Sequence, residues 1–247
     1  MEIRYETQQS QYLGRKMEYK VYGHGGVVCI ALPPEGARFW DWEERGLVGT
    51  AARWIDEGRL TIVTPDSIDG ETFLAEGDVR QRAQLHERWL CWLLCELLPQ
   101  VQRLGEGAVL LTGCGIGAGH AVNLYLRCPE LFRGVIAMSG LYDTDRFFGE
   151  NEDDLVFRSS PLKRLAALPE EAVQLEMYRC ASPLVLCCGQ SGAEQESLID
   201  TRDLAALLRE KKVPVWADEW GGDVTPDWSW WGKQFPYFLE KTVFAEG

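Results

Sequence analysis

The chain has 247 residues, of which 46% are hydrophobic and 11% aromatic, and its formal net charge is −13. This apolar content is sufficient for a sizeable buried core and argues against intrinsic disorder. The negative charge disfavours binding to nucleic acid or to an anionic membrane, since both need a basic surface, and we expect neither as a partner.

Short apolar runs alternate with amphipathic stretches along the chain. The runs that are typical of strands cover residues 16–23, 26–34, 60–69, 108–113, 134–140, 183–189 and 213–220. The stretches that predict helices cover residues 41–57, 78–103, 117–129, 200–212 and 227–244. Such alternation is typical of a mostly parallel sheet with helices on both faces. We therefore predict an α/β fold with a central sheet, organised as a single domain over residues 1–247.

The segment between residues 141 and 181 has no clear hydrophobic period. It contains the acidic run GENEDD, which is typical of a solvated loop, and we expect one or two short helices around it. No internal repeat, linker or low-complexity stretch is visible.

The N-terminal sequence MEIRYETQQSQ is polar and lacks the hydrophobic core of a signal peptide. Most of the eight cysteines stand in apolar stretches, as buried thiols do. These features favour a reducing, cytoplasmic location. Cys91 and Cys95 share a helix face, but two thiols and three scattered histidines do not make a zinc site. We predict no metal and no cofactor.

The run LLTGCGIGAGHA, residues 110–121, places a glycine-rich turn between a strand and a helix. Its first alternative is a dinucleotide-binding turn, since Gly113, Gly115 and Ala118 fit G-x-G-x-x-A. Its second is the S-adenosylmethionine turn of methyltransferases. Both need a carboxylate at the end of the next strand, where this chain has Ser139 and Gly140, so neither is favoured.

The third alternative is the nucleophile elbow G-x-S-x-G, in which a serine occupies a strained strand-to-helix turn. Residues 113–117 match this pattern except at the centre, where Gly115 replaces the serine. A side chain at that position costs about 1–3 kcal/mol of backbone strain, whereas glycine adopts the conformation with little steric cost. Gly115 can therefore keep the turn while removing the hydroxyl.

Four blocks of the chain support the third alternative. They are YGHGGVVCIALPPEGARFWDWEERGL with EGRLTIVTPDSID after it, TGCGIGAGHAVNLYLRCPELFRGVIAMSGLYD, PLVLCCGQSG and WGGDVTPDWSWWGKQFPYFLEK. In order and spacing they resemble the esterase D-like family of α/β-hydrolases, from about residue 22 to residue 239. That family has a G-C-S-M-G-G/A-Y-H-A elbow, a strand into G-Q-x-D, and a closing W-G-H-D-V-x-H-D-W segment. The resemblance implies the α/β-hydrolase fold.

The resemblance also locates the three positions of the family's catalytic triad. The nucleophile position holds Gly115, the acid position falls at Ser191 and Gly192, and the base position holds Pro226. The family's histidine before DV is replaced by Gly222. Glycine and proline side chains transfer no protons, so the chemistry of a serine triad is expected to be lost at these positions.

Other residues near these positions are candidates for binding. The resemblance implies that backbone N–H groups of the oxyanion hole persist at Ile116 and in the loop of residues 33–37, which contains Glu35 and Gly36. Asp223 and Asp227 flank the base position, where we expect solvated or capping carboxylates, although such an acid pair could also contact a ligand.

Trp228, which follows Asp227, is a candidate for a pocket wall, although packing in the core is the favoured interpretation. Cys114 precedes the elbow centre, and we expect a buried, inert thiol there. Among the histidines, His24 lies in an early turn, His86 is expected on a solvated helix face, and His120 is expected to pack in the core.

The favoured interpretation is a non-hydrolytic member of the esterase family, with a role in binding a small ligand or a protein partner. The alternative is a carboxylesterase with weak or relocated catalytic residues. The sequence does not identify the ligand, the partner or the oligomeric state.

Overall fold

A computed structural model describes residues 1–181 and 184–245. Its eight strands form one sheet in the order β1-β2-β4-β3-β5-β6-β7-β8. Their bounds are β1 (Ile3–Gln9), β2 (Lys16–Tyr22), β3 (Val27–Leu32), β4 (Leu60–Pro65), β5 (Val109–Cys114), β6 (Phe132–Met138), β7 (Leu184–Cys188) and β8 (Val215–Glu219). β2 pairs antiparallel with both β1 and β4, and all other pairs are parallel.

The helices pack on the two faces of this sheet. Their bounds are α1 (Asp41–Glu44), α2 (Leu47–Thr50), α3 (Ala52–Asp56), α4 (Val79–Cys91), α5 (Leu98–Val101), α6 (Ile116–Arg127), α7 (Asp145–Phe148), α8 (Asp154–Ser159), α9 (Pro161–Ala167), α10 (Val173–Cys180), α11 (Gln195–Glu210) and α12 (Trp228–Thr242). A π-helical stretch, Trp92–Leu97, joins α4 to α5.

Two hydrophobic clusters lie on opposite faces of the sheet. One packs the sheet against α4, α6 and α11, and the other against the α1–α3 region and α12. Every residue of β4, β5 and β7 is buried. This two-sided burial explains why these strands are almost continuously apolar in sequence.

The parallel register aligns the carboxyl ends of the central strands. Leu32 pairs with Gly113, Cys114 with Met138, and Met138 with Cys187. The loops that follow β3, β5, β6, β7 and β8 therefore leave the same edge of the sheet. In open parallel sheets this edge is where ligands bind.

The predicted layers are confirmed, but several local predictions are wrong. The predicted helix over residues 41–57 is three short helices, because Gly46 takes φ 86° between α1 and α2. The segment 141–181 carries four helices rather than one or two. β1 was not predicted, because as an edge strand it alternates between exposed and half-buried residues. Pro183, in the predicted strand 183–189, lies outside the described residues.

None of the described helices combines the length and the apolar character that a crossing of the bilayer requires.

Candidate functional site

A cleft of about 210 Å³ opens at the carboxyl edge of the sheet. It is lined by Glu35, Gly115, Ser139, Leu141, Ala193, Glu196, Ser197, Pro226 and Trp231. Two of the three predicted triad positions, Gly115 and Pro226, line it directly. The third, Gly192, is the neighbour of Ala193. Residues that are far apart in the chain are thus brought to one place, as the aligned strand ends require.

The turn from β5 into α6 has the backbone conformation of a strained elbow. Gly115 precedes α6 with φ 54° and ψ −125°, a region that residues with side chains rarely adopt. Gly117, the second residue of α6, allows a close approach to the end of β3. A Cβ on Gly117 would lie 2.6 Å from the carbonyl oxygen of Leu32. The loop after β3, which carries Glu35, therefore lies directly over the turn.

The carboxylate of Glu35 occupies the space above Gly115. A Cβ built on Gly115 would lie 2.7 Å from Oε1 and 2.8 Å from Cδ of Glu35, and Oε2 would be nearer still. Oε1 also accepts a hydrogen bond of 2.9 Å from the backbone N–H of Ile116. The predicted oxyanion-hole donor at Ile116 is therefore engaged by a side chain of the same protein.

Burial raises the pKa of Glu35. Hydrogen bonds from its own N–H and that of Ile116 oppose this rise, the Asp69 carboxylate adds to it, and His120 opposes it. The residue as a whole is exposed, but its carboxyl end turns inward, away from water. The functional group at the centre of the cleft is thus a carboxyl that ionises less readily than an ordinary glutamate.

A buried polar network forms the floor of the cleft. Ser139 donates to Oε1 of Glu194 over 2.8 Å and accepts from the indole N–H of Trp231 over 2.9 Å. Ser197 donates to the other carboxylate oxygen of Glu194. Glu194 is 0% exposed, so its carboxylate is compensated by these hydroxyl groups.

Neither Ser139 nor Glu194 was predicted from the sequence as a residue of the site. Ser139 has φ 50° directly after β6, in the positive region that favours glycine. The only local signal for Glu194 is its place three residues after Ser191 at the predicted acid position.

The histidines lie elsewhere, and none of the three, all of which belong to the described part of the chain, lines the cleft. His120 is buried, and its Nε2 lies 2.9 Å from Oδ1 of Asp69. His24 lies beside Gly58, at the opposite edge of the sheet. The core position predicted for His120 is confirmed.

The solvated position that we predicted for His86 is wrong. His86 is 0% exposed, and both ring nitrogens lack a hydrogen-bond partner among the described residues. Its ring packs against Phe73, Trp89 and His120, with centroid distances of 4.7, 5.7 and 4.9 Å. Desolvation lowers its pKa well below the usual value. The loop that carries Phe73 covers the polar face of α4, which the local sequence did not reveal.

The remaining candidates surround the cleft. Asp227 is the N-cap of α12, where its Oδ1 accepts from the backbone N–H of Ser229 and of Trp230. Trp228 packs edge-on against Trp231, which lines the cleft, with centroids 5.4 Å apart. Asp223 and Gly36 are exposed, and neither lines the cleft. Gly192 faces open space, so its side of the cleft is unobstructed.

Thiol and metal chemistry have little structural support at this site. Cys114 is fully buried, and desolvation raises the pKa of its thiol well above the usual range. Burial likewise raises the pKa of Cys188 to about 12. Across residues 1–181 and 184–245, no three His, Cys, Asp or Glu side chains come together in a group that could hold a metal ion.

Solved structures resemble this architecture over nearly its whole length. A ferulic acid esterase covers 98% of this chain and 97% of its own at 19% identity, with a TM-score of 0.75. An S-formylglutathione hydrolase from Agrobacterium tumefaciens covers 99% and 95% at 13% identity, with a TM-score of 0.74. MPT51 of Mycobacterium tuberculosis covers 98% of each chain at 15% identity, with a TM-score of 0.71.

This chain has the α/β-hydrolase fold. The predicted fold class is confirmed, and the mostly parallel eight-stranded sheet with helices on both faces is shared with esterases and hydrolases. No family model matches the sequence. No curated protein matches it either. Identities of 13–19% establish the fold but not the activity.

Proposed function

We propose that this protein is a non-hydrolytic member of the esterase D-like family that uses the cleft to bind a ligand without cleaving it. The observation that carries the proposal is the position of Glu35, whose carboxylate lies over Gly115 and accepts the N–H of Ile116. In a serine esterase this space holds the nucleophile, and the amide stabilises the oxyanion. Here the Glu35 side chain occupies the space of the nucleophile and also accepts the hydrogen bond from the amide.

The composition of the triad positions supports the same function. A serine triad needs an oxygen nucleophile, an imidazole that takes its proton, and a carboxylate that orients the imidazole. Gly115 has no oxygen nucleophile, and Pro226 has no imidazole to take a proton. The buried carboxylate nearest the acid position, that of Glu194, bonds to Ser139 and Ser197 rather than to an imidazole. Removing a triad member typically lowers kcat by about 10⁴–10⁶.

A direct test combines turnover with covalent labelling. We expect purified protein to hydrolyse p-nitrophenyl acetate no faster than buffer containing an unrelated acidic protein. We also expect no phosphonylated peptide in mass spectra after incubation with a fluorophosphonate, because Ser139 and Ser197 both donate to the Glu194 carboxylate and neither is paired with an imidazole. Enzymatic turnover accompanied by a labelled serine would contradict the proposal.

One observation favours a second candidate, a weak hydrolase in which Glu35 acts as general base. Its pKa is raised, mainly by burial, toward the range in which a carboxylate accepts protons from water efficiently. If turnover is detected, the variant Glu35→Gln separates the candidates. Loss of turnover without any labelled serine would support the second candidate and exclude a relocated serine nucleophile.

A further inference from the structure

Three side-chain donors that line the cleft and one backbone donor beside it are engaged within the protein. The hydroxyl groups of Ser139 and Ser197 donate to Glu194, and the indole N–H of Trp231 donates to Ser139. The N–H of Ile116 donates to Glu35. A ligand that needs donors, such as an ester carbonyl or a carboxylate, therefore meets none of these four.

The acceptors at the cleft, by contrast, keep unused lone pairs. A hydroxyl that donates inward keeps oxygen lone pairs for a ligand, which applies to Ser197, and to Ser139 beyond its bond with Trp231. Glu35 adds carboxylate lone pairs on Oε2, the oxygen that lies over Gly115. Pro226, which also lines the cleft, has no N–H to offer. The polar side chains of the lining thus favour a ligand rich in donors.

Charge and shape restrict the ligand further. No Lys or Arg side chain of the described residues lines the cleft, whereas Glu35 and Glu196 both do. Glu196 already pairs with Arg146 at 2.9 Å, so Glu35 is the carboxylate left to face a ligand. Leu141, Pro226 and the Trp231 ring supply apolar walls around a volume of about 210 Å³.

We infer that the cleft binds a primary ammonium group carried on a short apolar stem. An ammonium offers three donors and no acceptor, which matches Glu35 Oε2 and the two serine oxygens. The stem would pack against Leu141, Pro226 and Trp231. This inference rests on the proposed non-hydrolytic function, since it assigns a ligand class to the same cleft.

An isosteric series of ligands tests the inference on the wild-type protein. The probes are n-butylammonium, butyrate and 1-butanol, which have four carbons each and differ in charge and donors. Binding is followed by ¹H–¹⁵N NMR at constant ionic strength. We expect saturable shifts at Gly115 and Ile116 with n-butylammonium, and an affinity at least about tenfold weaker for the other two, a difference of about 1.4 kcal/mol. Equal or tighter binding of butyrate, or no saturable shift with n-butylammonium, would overturn the inference.

Matched variants locate the site. Glu35→Gln keeps the shape and the hydrogen bond from Ile116, and we expect it to weaken n-butylammonium binding by about tenfold. Glu130→Gln removes a similar charge from an exposed residue just before β6, at the other edge of the sheet, and should leave the affinity within about twofold. Equal effects of the two variants would also contradict the inference. A fourth probe, Nα-acetyl-lysine amide, carries the ammonium only on its side chain; binding tighter than that of n-butylammonium would indicate a lysine side chain, and weaker binding a free amine, as the source of the ammonium.

The outcomes separate this inference from the proposed function. Ester hydrolysis together with selective n-butylammonium binding would support the ligand class and contradict the non-hydrolytic role. A preference for butyrate without any hydrolysis would overturn the ligand class alone.

Discussion

The carboxylate of Glu35 and the missing side chain of Gly115 occupy the same space. The carboxyl carbon of Glu35 lies 2.8 Å from the point where a Cβ on Gly115 would stand, which is closer than real Cβ atoms approach other atoms. The two residues are 80 positions apart in the chain, and each explains the other. Glycine leaves room for the carboxylate, and the carboxylate fills the place that glycine leaves.

The first prediction concerns this mutual dependence. Gly115→Ser should lower the free energy of unfolding by about 1–3 kcal/mol, because the serine meets Glu35 and adopts a strained φ. Adding Glu35→Ala should recover part of the loss, since it removes the clash but not the strain. Urea unfolding of the two single variants and the double variant measures the coupling.

Gly192→Ser is the matched control for this cycle. Its added Cβ meets no atom within 4 Å, so it should change stability by less than about 0.5 kcal/mol. If the changes in the free energy of unfolding caused by Gly115→Ser and Glu35→Ala are strictly additive, the two residues do not interact and the prediction is wrong. For the same reason, restoring a triad with Gly115→Ser, Gly192→Asp and Pro226→His should require Glu35→Ala as well before any esterase activity emerges.

The second prediction concerns stability against pH. Burial raises the pKa of Glu35 in the folded protein above its usual value of 4.5, so the folded state holds this proton more tightly than the unfolded state does. The resulting stabilisation is complete below pH 4.5 and is lost as the pH rises through the folded pKa. Glu35→Gln, which stays neutral, should therefore raise the Tm at pH 7.

The advantage of Glu35→Gln should shrink as the pH falls toward 4.5. Thermal unfolding of wild type, Glu35→Gln and the exposed control Glu130→Gln across this range gives the comparison. A Tm for Glu35→Gln below that of wild type at pH 7 would show that the ionised carboxylate is stabilising and would contradict the prediction.

The third prediction concerns the buried ring of His86. Desolvation lowers its pKa in the folded protein, so between this value and the usual 6.5 the unfolded state binds more protons. Stability should therefore fall as the pH drops below 6.5. His86→Phe replaces the ring at similar volume and removes its two nitrogens, which have no hydrogen-bond partner in the described part of the chain. It should flatten the dependence of Tm on pH in this range.

His24→Phe offers a control for this variant, because His24 is exposed in the turn before β3. His24→Phe should show the same fall in Tm below pH 6.5 as wild type. If the Tm of His86→Phe falls below pH 6.5 as steeply as that of wild type, a group other than His86 causes the loss of stability.

The fourth prediction concerns the start of α12, which supplies the Trp231 wall. Asp227 caps this helix through the N–H groups of Ser229 and Trp230. Partial burial raises its pKa, but hydrogen bonds from Thr225, Ser229 and the Trp230 amide outweigh this and leave it lowered. Asp227→Ala should reduce stability by about 1 kcal/mol.

Asp227→Asn retains a cap acceptor, and urea unfolding at pH 7 should place it closer to wild type than Asp227→Ala. The advantage of Asp227 over alanine should decline as the pH falls toward and below 3.8, since protonation weakens the acceptor. Equal losses for Asn and Ala at pH 7 would argue against the capping role.

The layers of the fold and the position of the elbow could be predicted from sequence. Strands such as β5 and β7 are buried on both faces, so their apolar runs stand out locally. Helix α12 could also be predicted from sequence, from its aromatic residues. β1 was missed because an edge strand with one half-buried face carries a weak pattern.

The contacts that define the cleft could not be predicted from local sequence patterns. Ser139 and Trp231 are 92 residues apart, and Ser139 and Glu194 are 55 apart, so no local period relates them. His86 was misplaced because its burial depends on Phe73, which reaches it from another segment. Such contacts follow from the parallel register, which brings distant loops to one edge of the sheet.

The amino-acid sequence by itself determined the sheet, the glycine at the elbow and the absence of proton-transfer side chains at Gly115 and Pro226, because these properties depend on residue identity and short-range pattern. Only the tertiary structure decided that the Glu35 carboxylate fills the elbow and that the cleft donors turn inward. Those two features arise from groups that meet across the ends of separate strands, where direction and distance, rather than sequence order, determine which atoms bond.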